Sequence, residues 1–117
     1  MYSLGINIGS SNVKATMLEG NNILWSAVEP HEGNFLHTLK NILSSHPLPA
    51  DVKSLATGTE GRRLLNINSV IEPLCIEEAL ERLNQNVNAV VSLGGEDLVV
   101  YTIDKNKKII NSFSGNK

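Results

Sequence analysis

A polar break between two alternating segments lies near the start of the chain, where residues 5–14 read GINIGSSNVK. Apolar residues alternate with small or polar ones before the break, over residues 3–8, and again after it, over residues 13–18. A period of two predicts a β-strand on each side, and GSSN, residues 9–12, predicts the turn that joins them.

The segments that follow residue 18 predict a third strand and then a helix. Residues 19–22, EGNN, form a polar turn, and residues 23–28 form a strand that completes an antiparallel meander. The apolar period then changes from two to that of a helix. Asn34 is the expected N-cap of this helix, whose apolar face consists of Phe35, Leu36, Leu39, Ile42 and Leu43.

The middle of the chain alternates strand and helix. Residues 52–57 predict a strand that ends at GTEG, residues 58–61, and residues 68–71 predict a short extended piece. Residues 72–83 predict a second helix. Its expected apolar face consists of Cys75, Ile76, Ala79, Leu80 and Leu83.

The end of the chain repeats the architecture of its beginning. Strands are predicted at residues 88–93, 98–103 and 108–113, and the first two flank a glycine-rich turn, GGED. Three strands with no covering helix leave one face bare, so we expect the chain to be a piece of a longer α/β protein. We place one domain at 1–86 and the start of a second at 87–117.

Composition narrows the classes of function. A chain of 117 residues with 41% hydrophobic residues can bury a core. The net charge is −2 without a basic block, which disfavours a nucleic-acid partner. We find no apolar run of membrane-spanning length and no leader pattern, and we expect a cytoplasmic protein with no membrane partner. Cys75 is the only cysteine and is expected to be buried and structural.

The first glycine-rich turn has the composition of a phosphate site. Gly9 lets an oxyanion approach the backbone, and Ser10, Ser11 and Asn12 offer amide and side-chain donors. Lys14 follows closely and can supply a positive point charge.

The second turn adds carboxylates to a similar backbone. Gly94 and Gly95 allow close approach, and Glu96 and Asp97 are the candidate ligands of a hydrated Mg²⁺. Two such hairpins facing each other would hold the β- and γ-phosphates of a nucleotide. Taken alone, each turn is more typical of an ordinary hairpin, and their matching contexts are what favour phosphate binding.

Other polar residues do not form a recognisable site. His31, His37 and His46 lack acidic or cysteine partners at ligand spacing, and we expect them on the surface or on a helix face. The sequence contains no evident nucleophile set, so we name no catalytic residue.

These motifs together resemble a known superfamily. Residues 5–14 resemble the first phosphate motif shared by acetate kinase, sugar kinases, heat-shock chaperone ATPases and actin. Residues 56–61, 71–75, 92–97 and 116–117 are similar, in order, to segments of one of its families. This family comprises the ATP-dependent activators of 2-hydroxyacyl-CoA dehydratases and benzoyl-CoA reductase.

The resemblance implies a fold, cofactors and partners. It implies an RNase H-like, actin-like ATPase lobe with a mixed sheet, followed by the first three strands of a second lobe. It also implies Mg²⁺ with ATP or ADP bound at Asn7, at residues 9–12, at Lys14 and at residues 94–97. The family forms homodimers that share one [4Fe–4S] cluster and transfer an electron to a CoA-ester dehydratase or reductase. Its adenosine motif and cluster ligands would follow Lys117.

Two departures from the family pattern leave the activity open. The family usually carries Asp where this chain has Asn7 and Ser92, which cannot supply the missing negative charges. We therefore expect the chain alone to bind nucleotide weakly and to be inactive as an ATPase. The alternatives are a small-molecule kinase of the same superfamily, acting on a sugar or acid, and a degenerate, partner-binding lobe.

Overall fold

The computed structural model describes residues 1–94 and 97–116, which divide into two compact units, Met1–Val70 and Ile71–Lys117. The first unit contains β1 (Tyr2–Ile8), β2 (Asn12–Glu19), β3 (Asn22–Pro30), α1 (Phe35–Ser44), β4 (Lys53–Thr57) and α2 (Thr59–Leu64). The second contains α3 (Glu72–Leu83), β5 (Ala89–Leu93), β6 (Asp97–Ile103) and β7 (Ile109–Asn116).

The first unit is built on a mixed sheet in the order β3-β2-β1-β4. Strands β1, β2 and β3 form the predicted antiparallel meander, and β4 pairs with β1 in parallel. A parallel neighbour requires a crossover, which runs through α1. The predicted piece at residues 68–71 is reduced to one parallel bridge between Ala56 and Ser69.

One face of this sheet forms the core of the first unit. Alternate residues of β1 and β2 are buried there, as their period of two predicts. They pack with two residues of α1, and the whole cluster is Leu4, Ile6, Ile8, Val13, Ala15, Met17, Leu39 and Ile42.

Helix α1 begins after Asn34, but the Asn34 side chain does not cap it. The amide and the hydroxyl of Thr38 both donate to the Asn34 carbonyl oxygen, at 3.2 and 3.0 Å. The position of the predicted N-cap is therefore confirmed, whereas the expected side-chain role is absent.

The second unit packs α3 on the antiparallel sheet β5-β6-β7. Leu80 is buried with Tyr101 and Ile103, and the Glu77 carboxylate accepts from the Ile109 amide at 2.8 Å. The predicted apolar face of α3 is wrong at Ala79, which is exposed, and at Leu83, which is 66% exposed. The three-residue core is centred on Leu80 and does not reach the last helical turn.

The other face of this second sheet is exposed. Register places Val91, Val100 and Phe113 in one row, and Val91 and Phe113 are exposed. The expectation that no helix covers these three strands is therefore wrong, because α3 covers one face; among the described residues, the opposite face is exposed at Val91 and Phe113.

Helix α3 lies in the predicted first domain, 1–86, and packs with β6 through Leu80. The physical reason is that α3 supplies the apolar cover which the second sheet otherwise lacks. The lobe boundary at 86/87 itself stays a prediction.

The helices of the described residues are short, at 10, 6 and 12 residues. None of them combines the length and the apolar character needed to cross a bilayer.

Cys75, expected to be buried on α3, is only half-buried.

Candidate functional site

Three polar side chains of the first unit line up at the carboxyl end of β1. Asn7 pairs with Lys14 on β2 and with Thr57 on β4. Neighbouring residues Ile6 and Ile8 belong to the core face, so Asn7 and its two partners lie on the opposite face. The register thus brings together two predicted site residues, Asn7 and Lys14, and adds Thr57.

The first glycine-rich turn continues directly from this row. The Gly9 amide donates to the Asn12 carbonyl oxygen at 3.0 Å, and the side chains of Ser10 and Ser11 are exposed. Gly9 does not have a positive φ, and a Cβ built on it would meet only the Asn12 oxygen, at 3.8 Å. Neither the backbone conformation nor the packing of the chain requires glycine at this position.

Gly58 differs from Gly9 because the fold requires it. Its φ is +83°, and a Cβ would lie 2.4 Å from the Ile8 carbonyl oxygen and 2.6 Å from Asn7 Oδ1. The chain after β4 therefore passes directly against the end of β1 and against the Asn7 carboxamide. The sequence predicts that Gly58 ends a strand and places it in the resembling segment 56–61. Its contact with Asn7 depends on the parallel pairing of β1 with β4.

Thr57 is a further residue of the site; it lies in the resembling segment 56–61, but the sequence assigned it no role. Its hydroxyl oxygen is buried and has no hydrogen-bond partner among the described residues. A buried polar atom without a partner normally indicates a missing ligand or water. A threonine at the end of a strand carries no special sequence signal, because only the register with Asn7 reveals its position.

His31 corrects a second expectation, since it is buried and not a surface residue. Its ring Nε2 lies 2.8 Å from the Gly9 carbonyl oxygen, and its backbone amide donates to the Ser11 carbonyl oxygen at 3.0 Å. No ligand partner of His31 is evident from residue types, because its partners are backbone atoms. His37 is exposed on α1, as expected, and His46 is half-buried against Trp25.

The second glycine-rich turn closes in the same way as the first. The Gly94 amide donates to the Asp97 carbonyl oxygen at 2.8 Å, and a Cβ on Gly94 would meet that oxygen at 3.7 Å. Gly94, like Gly9, has no positive φ. The predicted site residues Gly95 and Glu96 lie outside the described residues, as does Lys117.

A small cavity lies beside this second turn. Its volume is about 300 Å³, and its lining consists of Asp97, Val99, Ser114 and Gly115. Ser92 pairs with Val99, so it lies in a strand next to the lining. The Asp97 carboxylate is exposed and is one of the two candidate Mg²⁺ ligands.

Metal ligands are sparse in the described residues. No three side chains of His, Cys, Asp or Glu come together in a way that could hold a metal ion there. The Mg²⁺ ligands Glu96 and Asp97 therefore stay predictions. An iron–sulfur cluster does not fit this chain, because Cys75 is its only cysteine and such clusters are held by several thiolates.

Comparison with known proteins identifies the fold. No family model matches the chain. An uncharacterized protein of Methanocaldococcus jannaschii is 28% identical over 121 residues, which cover 97% of this chain and 48% of that protein. The chain thus spans about half the length of this relative.

Two solved structures match the whole chain. One is the activator of the 2-hydroxyisocaproyl-CoA dehydratase from Clostridium difficile with bound ADPNP, with a TM-score of 0.82 and 24% identity. The other is component A of the (R)-2-hydroxyglutaryl-CoA dehydratase from Acidaminococcus fermentans, with a TM-score of 0.80 and 24% identity. The chain covers 46% and 48% of these structures.

The chain has the actin-like ATPase fold. The ethanolamine utilization protein EutJ from Carboxydothermus hydrogenoformans matches 99% of the chain, with a TM-score of 0.71 and 13% identity. Its chain is covered to 52%. These comparisons confirm the predicted fold class, in which a mixed sheet is followed by a three-stranded antiparallel sheet.

Proposed function

We propose that this chain is the nucleotide-phosphate-binding part of an ATPase that activates a CoA-ester dehydratase or reductase. The observation that carries the proposal is the pair of glycines at the two turns. Gly9 and Gly94 have no positive φ, and a Cβ added to either residue would make only ordinary van der Waals contacts. A glycine that the fold does not need is explained by a ligand that approaches the backbone closely.

The chemistry around the first turn supports phosphate as that ligand. The row of Asn7, Lys14 and Thr57 offers an amide, an ammonium group and a hydroxyl on one face of the sheet. All three side chains can donate hydrogen bonds to phosphate oxygens. The Thr57 hydroxyl, buried and without a partner among the described residues, would gain an acceptor when phosphate binds.

The likeness to a dehydratase activator with bound ADPNP and to a dehydratase component A supports ATP or ADP as the nucleotide. A CoA-ester dehydratase or reductase is the corresponding protein partner in this proposal, and the active form is a homodimer. ATP hydrolysis and electron transfer belong to a longer protein, because this chain spans about half of each matched structure. Cys75 alone does not provide the ligands for the cluster that such electron transfer uses.

Mg²⁺ fits the second turn better than the first. Mg²⁺ is usually held by one or two carboxylates together with phosphate oxygens and water. Asp97 is exposed beside the turn and would supply one carboxylate, with Glu96 as the second candidate. Asn7 at the first turn is neutral, so we propose that Lys14 supplies the positive charge there.

Isothermal titration of the 117-residue chain with Mg·ADP, Mg·ATP and inorganic phosphate tests this function. Lys14→Met should weaken binding about tenfold or more, because it removes a charge-assisted hydrogen bond. Lys40→Met is the matched control, since Lys40 is also exposed but lies on α1. Equal binding by both variants would exclude Lys14 from the site, and no binding by the unmodified chain would refute the function.

A degenerate lobe that binds a protein partner is the second candidate. Neutral Asn7 and Ser92 favour it, because the resembled family carries Asp at both places. The double variant Asn7→Asp, Ser92→Asp should bind Mg·ATP more tightly than the unmodified chain if the site is a lapsed ATPase site. An unchanged affinity would speak against this explanation.

A further inference from the structure

His31 connects the first glycine-rich turn to the chain that leads into α1. It directly follows β3 and is only 5% exposed. Its backbone amide donates to the Ser11 carbonyl oxygen, and its ring reaches the Gly9 carbonyl oxygen. On its other side, ring Nδ1 lies 2.9 Å from the Gly33 amide nitrogen. One buried residue therefore contacts both ends of the exposed Ser10-Ser11 pair.

The hydrogen bonds fix which ring nitrogen of His31 carries the proton. The Gly33 amide can only donate, so Nδ1 must accept and carries no hydrogen. The hydrogen of the neutral ring is then on Nε2, which donates to the Gly9 carbonyl oxygen. This arrangement satisfies both nitrogens of a buried ring without a charge.

Holding these two carbonyl groups also orients the amides that follow them. In a planar trans peptide, the C=O of one residue and the N–H of the next point in opposite directions. Because the carbonyl groups of Gly9 and Ser11 point toward His31, the amides of Ser10 and Asn12 point away from it. The amides of Ser10 and Asn12, both directed away from His31, can donate two hydrogen bonds to one oxyanion.

We propose that His31 is a positioning residue that holds the 9–12 turn in its phosphate-binding conformation. This role rests on the proposed function, since it concerns the same turn. His31 does not touch the nucleotide in this proposal. It acts through the Gly9 and Ser11 carbonyl groups, and the ligand it serves is the phosphate chain of a nucleotide.

A purely structural role for His31 makes a different prediction. The ring packs edge-on against Phe35, with centroids 4.4 Å apart, so any replacement removes some packing. If packing were the whole role, glutamine and asparagine should have similar effects on nucleotide affinity. If positioning is the role, the two replacements should differ, because their amides reach different partners.

The experiment compares His31→Gln with His31→Asn in the full chain. A glutamine amide can take the place of Nε2 and donate to the Gly9 oxygen. An asparagine oxygen can take the place of Nδ1 and accept from Gly33, but its side chain is too short to reach Gly9. His37→Gln is the control, since His37 is exposed on α1.

We expect His31→Gln to bind Mg·ADP within about threefold of the unmodified chain, and His31→Asn to bind about tenfold more weakly, as for one lost hydrogen bond. His37→Gln should leave the affinity unchanged. Urea unfolding of the same variants separates affinity from stability. Equal affinities for the glutamine and asparagine variants, or losses that follow stability alone, would overturn the positioning role.

A ligand-free measurement separates failure of this role from failure of the proposed function. The amide NMR signals of Ser10 and Asn12 should shift in His31→Asn and stay near their original positions in His31→Gln. If that pattern appears but the unmodified chain binds neither Mg·ADP nor phosphate, the proposed function fails and the turn-holding role remains. Nucleotide binding without that pattern overturns the role of His31 alone.

Discussion

Replacing Gly58 by alanine is the sharpest test of how the candidate site is built. Gly58 has φ +83° and ψ 152°, a backbone region that is essentially restricted to glycine. Its missing side chain leaves room for the Ile8 carbonyl oxygen, which would lie 2.4 Å from an added Cβ. An alanine at this position must therefore adopt a strained backbone and displace the end of β1.

The two effects can be estimated separately. A non-glycine residue in this backbone region costs about 1–3 kcal/mol. Relieving the overlap with a backbone atom costs about 1–3 kcal/mol more, as for overpacking in a core. The expected loss is about 2–6 kcal/mol, a large part of the about 5–15 kcal/mol by which domains are stable.

Urea unfolding followed by Trp25 fluorescence measures this loss. Trp25 is the only tryptophan, and it packs against the core of the first unit, so its signal follows that unit. Two control variants divide the effect into its parts. Gly20→Ala changes a residue with φ +59° and open space around it, and should cost about 1–2 kcal/mol.

The second control variant, Gly61→Ala, tests a glycine that carries neither penalty. Its Cβ would make ordinary contacts at 3.5 to 3.8 Å with Ile8 and Ala56. Alanine is also favoured over glycine inside a helix such as α2 by about 1 kcal/mol. Stability should therefore fall in the order Gly61→Ala, Gly20→Ala, Gly58→Ala. A Gly58→Ala protein as stable as the Gly20→Ala protein would refute the close approach of Gly58 to Ile8 and Asn7.

Two further predictions concern the second unit. Burial, the Glu72 charge and the hydrogen bond to Glu72 raise the pKa of Tyr101 above its ordinary value of 10.0. The protonated Tyr101 hydroxyl therefore stabilises the fold fully below pH 10.0, and this stabilisation is lost as the pH rises through the higher pKa of the folded state. Tyr101→Phe should therefore lose less stability than the unmodified chain in alkaline urea titrations, and equal alkaline losses would contradict the assignment. Leu80→Ala should cost about 2–5 kcal/mol in the small core, whereas Leu83→Ala, at an exposed position, should change stability by less than about 0.5 kcal/mol. Comparable losses in these two variants, measured by circular dichroism, would show that the helix face is misplaced.

Local patterns in the sequence were sufficient to predict most of the fold. The period of two in β1 and β2 and the helical period of α1 and α3 correctly predicted those elements, because each pattern reflects which face is buried. The end of the apolar face of α3 was mispredicted because periodicity does not say where the neighbouring sheet stops. Leu83 continues the pattern but lies beyond the core around Leu80.

The candidate site was only partly predictable, because much of it depends on contacts between distant segments. Glycine and serine in the first turn give a local signal, and Lys14 lies close to them in sequence. Thr57 lies in the resembling segment 56–61, but only its parallel pairing reveals that it is next to Asn7. His31 gives no signal, since it reaches the site through hydrogen bonds to backbone atoms. A buried histidine with backbone partners has the same sequence signature as an exposed one.

The strand order of the first sheet also has a consequence for the order in which the site is assembled during synthesis. The pairs β1–β2 and β2–β3 join neighbours in sequence, so the hairpin that aligns Asn7 with Lys14 can close soon after it leaves the ribosome. Strand β4 must wait for α1 and its connections, because its pairing with β1 spans the crossover. Thr57 and Gly58 therefore reach Asn7 after Lys14 does. The nascent chain can form its first glycine-rich turn before β4 packs beside it.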